Sequence, residues 1–327
     1  MKTFFTLLLF FSTALQSCYA RTKEPVYIIY MHGFNAFDRK IVECEAKRVA
    51  EAFQGRAIGN YCFSGKYKVI FWADMFQCDE GFKLYESALM DLNNAHNNTN
   101  KRIELSMDKQ KLNLLNPFLH PSQKGSGPAS AYLRNLINGF LFQIFFVKNS
   151  EKHRNEIMNR IQTAVDNNSS KFVIIAHSFG APAAVEFLET RIIGNKNNEK
   201  KFAGLITSAD LTATFSSVYW AECSKYDPIA RIAEFIIKND KFWICCNHRN
   251  DIAASGLPAK LTGYKAQGNG IITSRTTKSK FLSGYTSILR PFAQDNGKIR
   301  AHSWLHLMPD DFANEVIKAY DDERLKY

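Results

Sequence analysis

Apolar residues along the chain fall into two kinds of run. Val26–Met31, Lys68–Ala73, Phe172–Ala176, Phe202–Ala209 and Phe242–Asn247 are short, rich in Val, Ile and aromatics, and do not alternate with polar residues. Such runs predict parallel strands covered on both faces, because a strand with one wet face would alternate. Between them the apolar spacing lengthens to a helical period. Residues 38–53 carry Ile41, Val42, Ala46, Val49, Ala50 and Phe53, residues 151–165 carry Ile157, Ile161 and Val165, and residues 181–193 carry Val185, Leu188 and Ile192. Each predicts a helix with one buried stripe. Strand and helix alternate, which predicts an α/β fold built on a doubly wound, mostly parallel sheet.

Two stretches do not fit a minimal sheet. Residues 93–130 are rich in Asn, Lys, Ser, Gly and Pro, and Tyr132–Val147 is then strongly apolar, with Phe140, Phe142, Phe145 and Phe146. The whole of 93–150 reads as an insertion whose apolar part is either a lid over an apolar cleft or a core helix. Residues 211–238, with Phe215, Val218, Tyr219 and Trp220, read as a second helical cap segment. The remainder of 21–327 is one domain without internal repeats. Ahead of it, a single Lys2, the apolar run Phe4–Phe11 and the small residue Ala20 make residues 1–20 a signal peptide, so export to the periplasm or beyond is expected. Ser12, Thr13, Gln16 and Ser17 interrupt the run, and a membrane span needs about 20 apolar residues. Leu15-Gln16-Ser17-Cys18 offers a second route, since it resembles a bacterial lipobox in which Cys18 is lipidated and anchors the protein.

With 327 residues, 46% of them hydrophobic and 22% charged, the chain can bury a large core, and disorder is excluded as its dominant state. Past Cys18 there are cysteines at 44, 62, 78, 223, 245 and 246, an even number compatible with disulfides whose connectivity is open. Adjacent Cys245 and Cys246 would point to opposite faces of a strand and do not suit each other. No CxxC spacing supports a zinc or thioredoxin reading. The formal charge of +11 is basic, but its Lys and Arg residues are scattered and no nucleic-acid motif accompanies them. A solvated basic face is expected, with an anionic membrane surface as the next partner and nucleic acid disfavoured.

The most informative window is Phe172-Val173-Ile174-Ile175-Ala176-His177-Ser178-Phe179-Gly180-Ala181-Pro182, a buried strand running into a small-residue helix with one Ser at the turn. It resembles the nucleophile elbow of the α/β-hydrolase superfamily, with Ala176 in place of the commoner first Gly. Tyr30-Met31-His32-Gly33-Phe34-Asn35, directly after the first strand, looks like the His-Gly oxyanion turn of the same superfamily. The resemblance implies that Ser178 is the nucleophile and that the N–H groups of Phe179 and of Phe34 or Asn35 hold the oxyanion, with Gly33 letting the backbone swing. His32 is expected to be structural.

The superfamily's chain order of Ser, acid and His then points downstream. His302, in the loop before the amphipathic helix Asp310–Tyr320, matches the base, and His306 is the second candidate. Asp251, just past the strand Phe242–Asn247 and ahead of Gly256-Leu257-Pro258, matches the acid. Asp210, ending the preceding strand, competes with it. The spacing of His302 and His306 could suit a metal, but no Glu stands between them and no Cys pair lies near, so no metal is expected, and the resemblance implies no cofactor. The implied activity is that of an exported lipase-like or esterase-like serine hydrolase acting through an acyl-enzyme. Thioesters and amides pass through the same tetrahedral intermediate, and a binding protein that keeps the fold without turnover is the alternative of a different class.

Overall fold

A computed structural model describes residues 23–33, 39–76, 151–215, 228–249, 251, 254, 256–257, 261, 268–277 and 304–326. Residues 1–20, read above as a signal peptide, with Cys18, Phe34 and Asn35, the whole 93–150 insertion with its Tyr132–Val147 run, and His302 lie outside them.

In chain order the elements are β1 (Glu24–Met31), α1 (Arg39–Phe53), β2 (Ala57–Ile58), β3 (Tyr61–Ile70), α2 (Glu151–Asp166), β4 (Lys171–His177) and α3 (Gly180–Phe187). There follow α4 (Lys196–Lys201), β5 (Phe202–Ser208), α5 (Thr212–Phe215), α6 (Pro228–Lys238), β6 (Phe242–His248), β7 (Ile271–Thr277), α7 (Trp304–Leu307) and α8 (Pro309–Arg324). Among the described residues the strands form one seven-stranded sheet in the order β2-β3-β1-β4-β5-β6-β7. All neighbours run parallel except the short β2, which turns back on β3. The predicted doubly wound, mostly parallel fold is the fold observed.

Both faces of the sheet are covered, as the non-alternating runs require. Tyr27, Ile29, Met31, Ile174, Ala176, Leu205 and Trp243 pack with residues of α2, α3 and α6 on one face. Val26, Ile28, Tyr30, Val173, Ile175, Ile206 and Ile244 pack with α1 and α8 on the other. Burying each large apolar side chain contributes about 1.5–3 kcal/mol.

The chain leaves β1 toward β3 on one side and returns to β4 on the other. The strand order therefore reverses between β1 and β4, and the crevice outside their carboxyl ends is where a doubly wound sheet binds ligands. Strand pairing brings the two ends level, Met31 standing opposite Ala176.

Several elements differ from expectation. β7 arises in a stretch with no apolar run, because its ends Ile271 and Thr277 are buried while Ser274 and Thr276 are exposed at the sheet edge. β3 begins at Tyr61, seven residues before its apolar run, and a shift in its register with β1 crosses Gly65 at φ 77°. Within 211–238, α6 belongs to the core. Its Ile229, Ile232, Ala233 and Ile236 are all fully buried, at the spacing of one helix face. Cys44, Cys62, Cys245 and Cys246 are free thiols, and Cys245 and Cys246 are both buried on a strand whose residues alternate between faces. Among the described residues no helix is long and apolar enough to cross a membrane.

Candidate active site

The turn between β4 and α3 is tight enough to force a left-handed backbone on a residue that is not glycine, Ser178 at φ 53°. An L side chain there costs on the order of 1–2 kcal/mol and persists only if the surroundings fix it. They do. The Ser178 N–H donates to the Ser208 carbonyl of β5 at 2.9 Å, and the Ser178 carbonyl accepts from the Ala181 N–H at 3.0 Å. Gly180 lets α3 start directly against β1, since a Cβ there would lie 2.6 Å from the Met31 carbonyl oxygen and 2.9 Å from that of His32. Ala176, two residues before the serine, is fully buried between neighbouring strands. The helix begins at Gly180 with Phe179 as its cap residue, so the positive end of α3 faces the serine.

The turn after β1 packs onto this elbow. A Cβ on Gly33 would approach His177 Nδ1 to 2.7 Å and Ser178 Cβ to 2.8 Å. Gly33 is not among the residues of positive φ, so the position needs glycine for room rather than for backbone freedom. His32 is buried beside the turn and occupied by backbone partners. Its Nδ1–H donates to the Gly33 carbonyl at 2.6 Å while Nε2 accepts from the Trp72 N–H at 3.3 Å, which uses both nitrogens of a neutral ring. Burial lowers its pKa to about 4, against a partial upward pull from the Gly33 carbonyl and Asp74. The ring stacks on Trp72 at 4.1 Å, and Trp72 meets Phe179 edge-on at 6.2 Å. Trp72 thus links the two turns, a role that its place at the end of an apolar run did not reveal.

The two candidate acids differ in surroundings. Asp251 is 8% exposed, its N–H donates to the His248 carbonyl at 3.0 Å, and its Oδ1 accepts from the Ala254 N–H at 3.2 Å. Asp210 is 0% exposed and its Oδ1 accepts from the Thr212 N–H at 2.7 Å. Burial raises the Asp210 pKa, opposed by the hydroxyls of Thr207 and Thr212, the Thr212 N–H and the Cys245 thiol. Its backbone also braces the neighbouring loop. The Asp210 N–H donates to Asn247 Oδ1 at 3.0 Å, and the Asp210 carbonyl accepts from the Gly256 N–H at 2.9 Å. Asn247 was not legible in the sequence as part of this site.

His306 lies on α7, beneath the elbow on the α1 side of the sheet. Its Nδ1 is 3.2 Å from the Tyr30 hydroxyl and 3.6 Å from Glu45 Oε2, and its ring meets that of His177 at 4.4 Å. Among the described residues no group of three His, Cys, Asp or Glu side chains is placed to hold a metal.

No protein-family model matches the chain, and no curated protein is significantly similar to it. Among solved structures, an alpha/beta superfamily hydrolase from Oenococcus oeni PSU-1 is similar over 85% of this chain and 93% of its own, at 9% identity and a TM-score of 0.30. At that level of likeness the strand order and the elbow, not the neighbour, define the fold.

Proposed function

We propose that the protein is an exported serine hydrolase that cleaves carboxylic esters through an acyl-enzyme. The observation that carries the reading is Ser178, held at φ 53° at the crevice where the strand order reverses, with α3 starting behind it and the Gly33 turn pressed against it. A hydroxyl placed there attacks an acyl carbonyl, and the N–H groups of Phe179 and Phe34 receive the charge that develops on its oxygen. His302 takes the serine proton and returns it to the leaving alcohol, and Asp251 holds the imidazole in the required tautomer. Water then releases the acyl group by the same steps in reverse roles.

Asp251 is preferred to Asp210 because it keeps some exposure, whereas Asp210 is walled in and bonded to the start of its own helix. For substrate, the phenylalanines of Tyr132–Val147 support medium or long acyl chains over acetate, and the basic surface supports anionic lipid. A series of nitrophenyl esters, assayed below and above their critical micelle concentrations, tests this. Turnover that rises with chain length and on aggregation is expected. Fastest turnover on acetate without a rise on aggregation would contradict the lipid preference and leave a plain esterase or a thioesterase.

A further inference from the structure

Four titratable side chains meet under the elbow on the face opposite α3, and the hydrolysis steps above use none of them. Tyr30 comes from β1, His177 from the end of β4, Glu45 from α1 and His306 from α7. His177 is 6% exposed and stands immediately before Ser178, and its Nδ1 is the atom nearest to where Gly33 would carry a Cβ. It therefore occupies the space between the serine turn and the turn after β1. The His306 ring braces it from behind at 4.4 Å with an interplanar angle of 72°. His306 is in turn approached by Tyr30 at 3.2 Å and Glu45 at 3.6 Å.

We propose that Glu45 and His306 are positioning residues for Ser178, acting through His177, and that they hold the serine turn in its reactive geometry only when Glu45 is ionised. This rests on the serine-hydrolase reading. At 3.6 Å the Glu45–His306 contact is beyond hydrogen-bond length and within ion-pair range, so its attraction depends on charge and fades when the carboxyl is neutral. An ionised carboxylate adds its attraction for the facing imidazole to the Tyr30 hydroxyl contact that already orients the ring, and a neutral one adds less.

Burial raises the Glu45 pKa to about 7, against the lowering effect of Arg48 one turn on, which puts the change near neutrality. The elements packed around the pair bring Tyr30 and His177 to it. On α8, Asp311 accepts from the Trp304 indole and Asp310 pairs with Arg56, while β3 exposes Lys66 and Lys68 to solvent.

The test follows the rate at which a fluorophosphonate labels Ser178 from pH 5.5 to 8.5 in the full chain, wild type against Glu45→Gln. Glutamine mimics the protonated carboxyl permanently. The variant should label about tenfold more slowly at pH 8, a loss in the usual range for coupled neighbours, and the gap should close below about pH 6 as wild-type Glu45 also becomes neutral. Glu45→Asp, which keeps an ionisable carboxyl, should recover part of the rate lost at pH 8, and His306→Gln should behave like Glu45→Gln, which decides the matter if one variant fails to fold. A rate ratio that does not change with pH overturns the inference and leaves Glu45 a structural residue. Equal rates at every pH overturn it too. Failure of the wild type to label at any pH overturns the hydrolase reading itself, and this inference with it.

Discussion

The turns after β4 and β5 lie side by side, and both force a positive φ on a residue that is not glycine, 53° at Ser178 and 51° at Ala209. Both follow a buried strand, both lead into a helix, and the Ser178 N–H donates to the carbonyl of Ser208 across the pair. Their surroundings differ. The first turn stands at the reversal of strand order, beside a glycine that leaves it room. The second is closed by its own next residue, whose carboxylate bonds back to Thr212. Backbone strain alone therefore does not mark a nucleophile. What sets the proposed nucleophile apart is strain at the reversal of strand order, with a hydroxyl on the strained residue and a helix start behind it.

The sharpest break between the two turns is chemical. Ser178→Ala should lower ester hydrolysis by about 10⁶-fold, measured as kcat on nitrophenyl esters, with no fall in thermal stability. Ala209→Ser, which places a hydroxyl on the other strained turn, should not restore it.

The next test sets the carboxylates beside the two acid-bearing strands against each other. Asp251→Asn should lower kcat by about 10⁴-fold with little change in KM, because the carboxylate stabilises an imidazolium that forms only during reaction. Asp210→Asn should keep activity within about tenfold. Because burial raises the Asp210 pKa in the folded state, its stabilising contribution is present at low pH and is lost as pH rises through the folded value. The asparagine variant should accordingly lose less stability as pH rises from the unfolded value of 3.8, read from urea unfolding.

On the nucleophile side, His32 couples the fold to acid. Its folded pKa of about 4 lies below the unfolded value near 6.5, so its contribution is complete above pH 6.5 and is lost as pH falls through 4. That loss amounts to at most about 3 kcal/mol, and His32→Asn should flatten the stability profile across this window.

How much of this was legible in the sequence depended on whether a residue's partners are local. The elbow announced itself because strand, small residues and helix follow one another from Phe172 to Pro182. β7 did not, since its polar middle includes Arg275, whose partners Glu315 and Asp322, at 2.5 and 2.7 Å, come from α8 about 40 positions away. The reason for Gly33 was misread for a similar cause. Its constraint comes from His177 and Ser178, more than a hundred positions away, and no local pattern reports a contact of that kind.

Two smaller effects complete the comparison. Gly180→Ala should destabilise by about 2–3 kcal/mol, because its Cβ meets backbone oxygens of β1 that cannot move aside without shifting the strand. Ala209→Gly should stabilise by about 1 kcal/mol by relieving the positive φ, with activity unchanged.

The most direct test of the nucleophile assignment is mass spectrometry of the purified protein after reaction with a fluorophosphonate. The account predicts one adduct per chain, carried on Ser178 and absent from Ser178→Ala. No adduct on the folded wild type, or an adduct that persists on another residue in the Ser178→Ala variant, would contradict it.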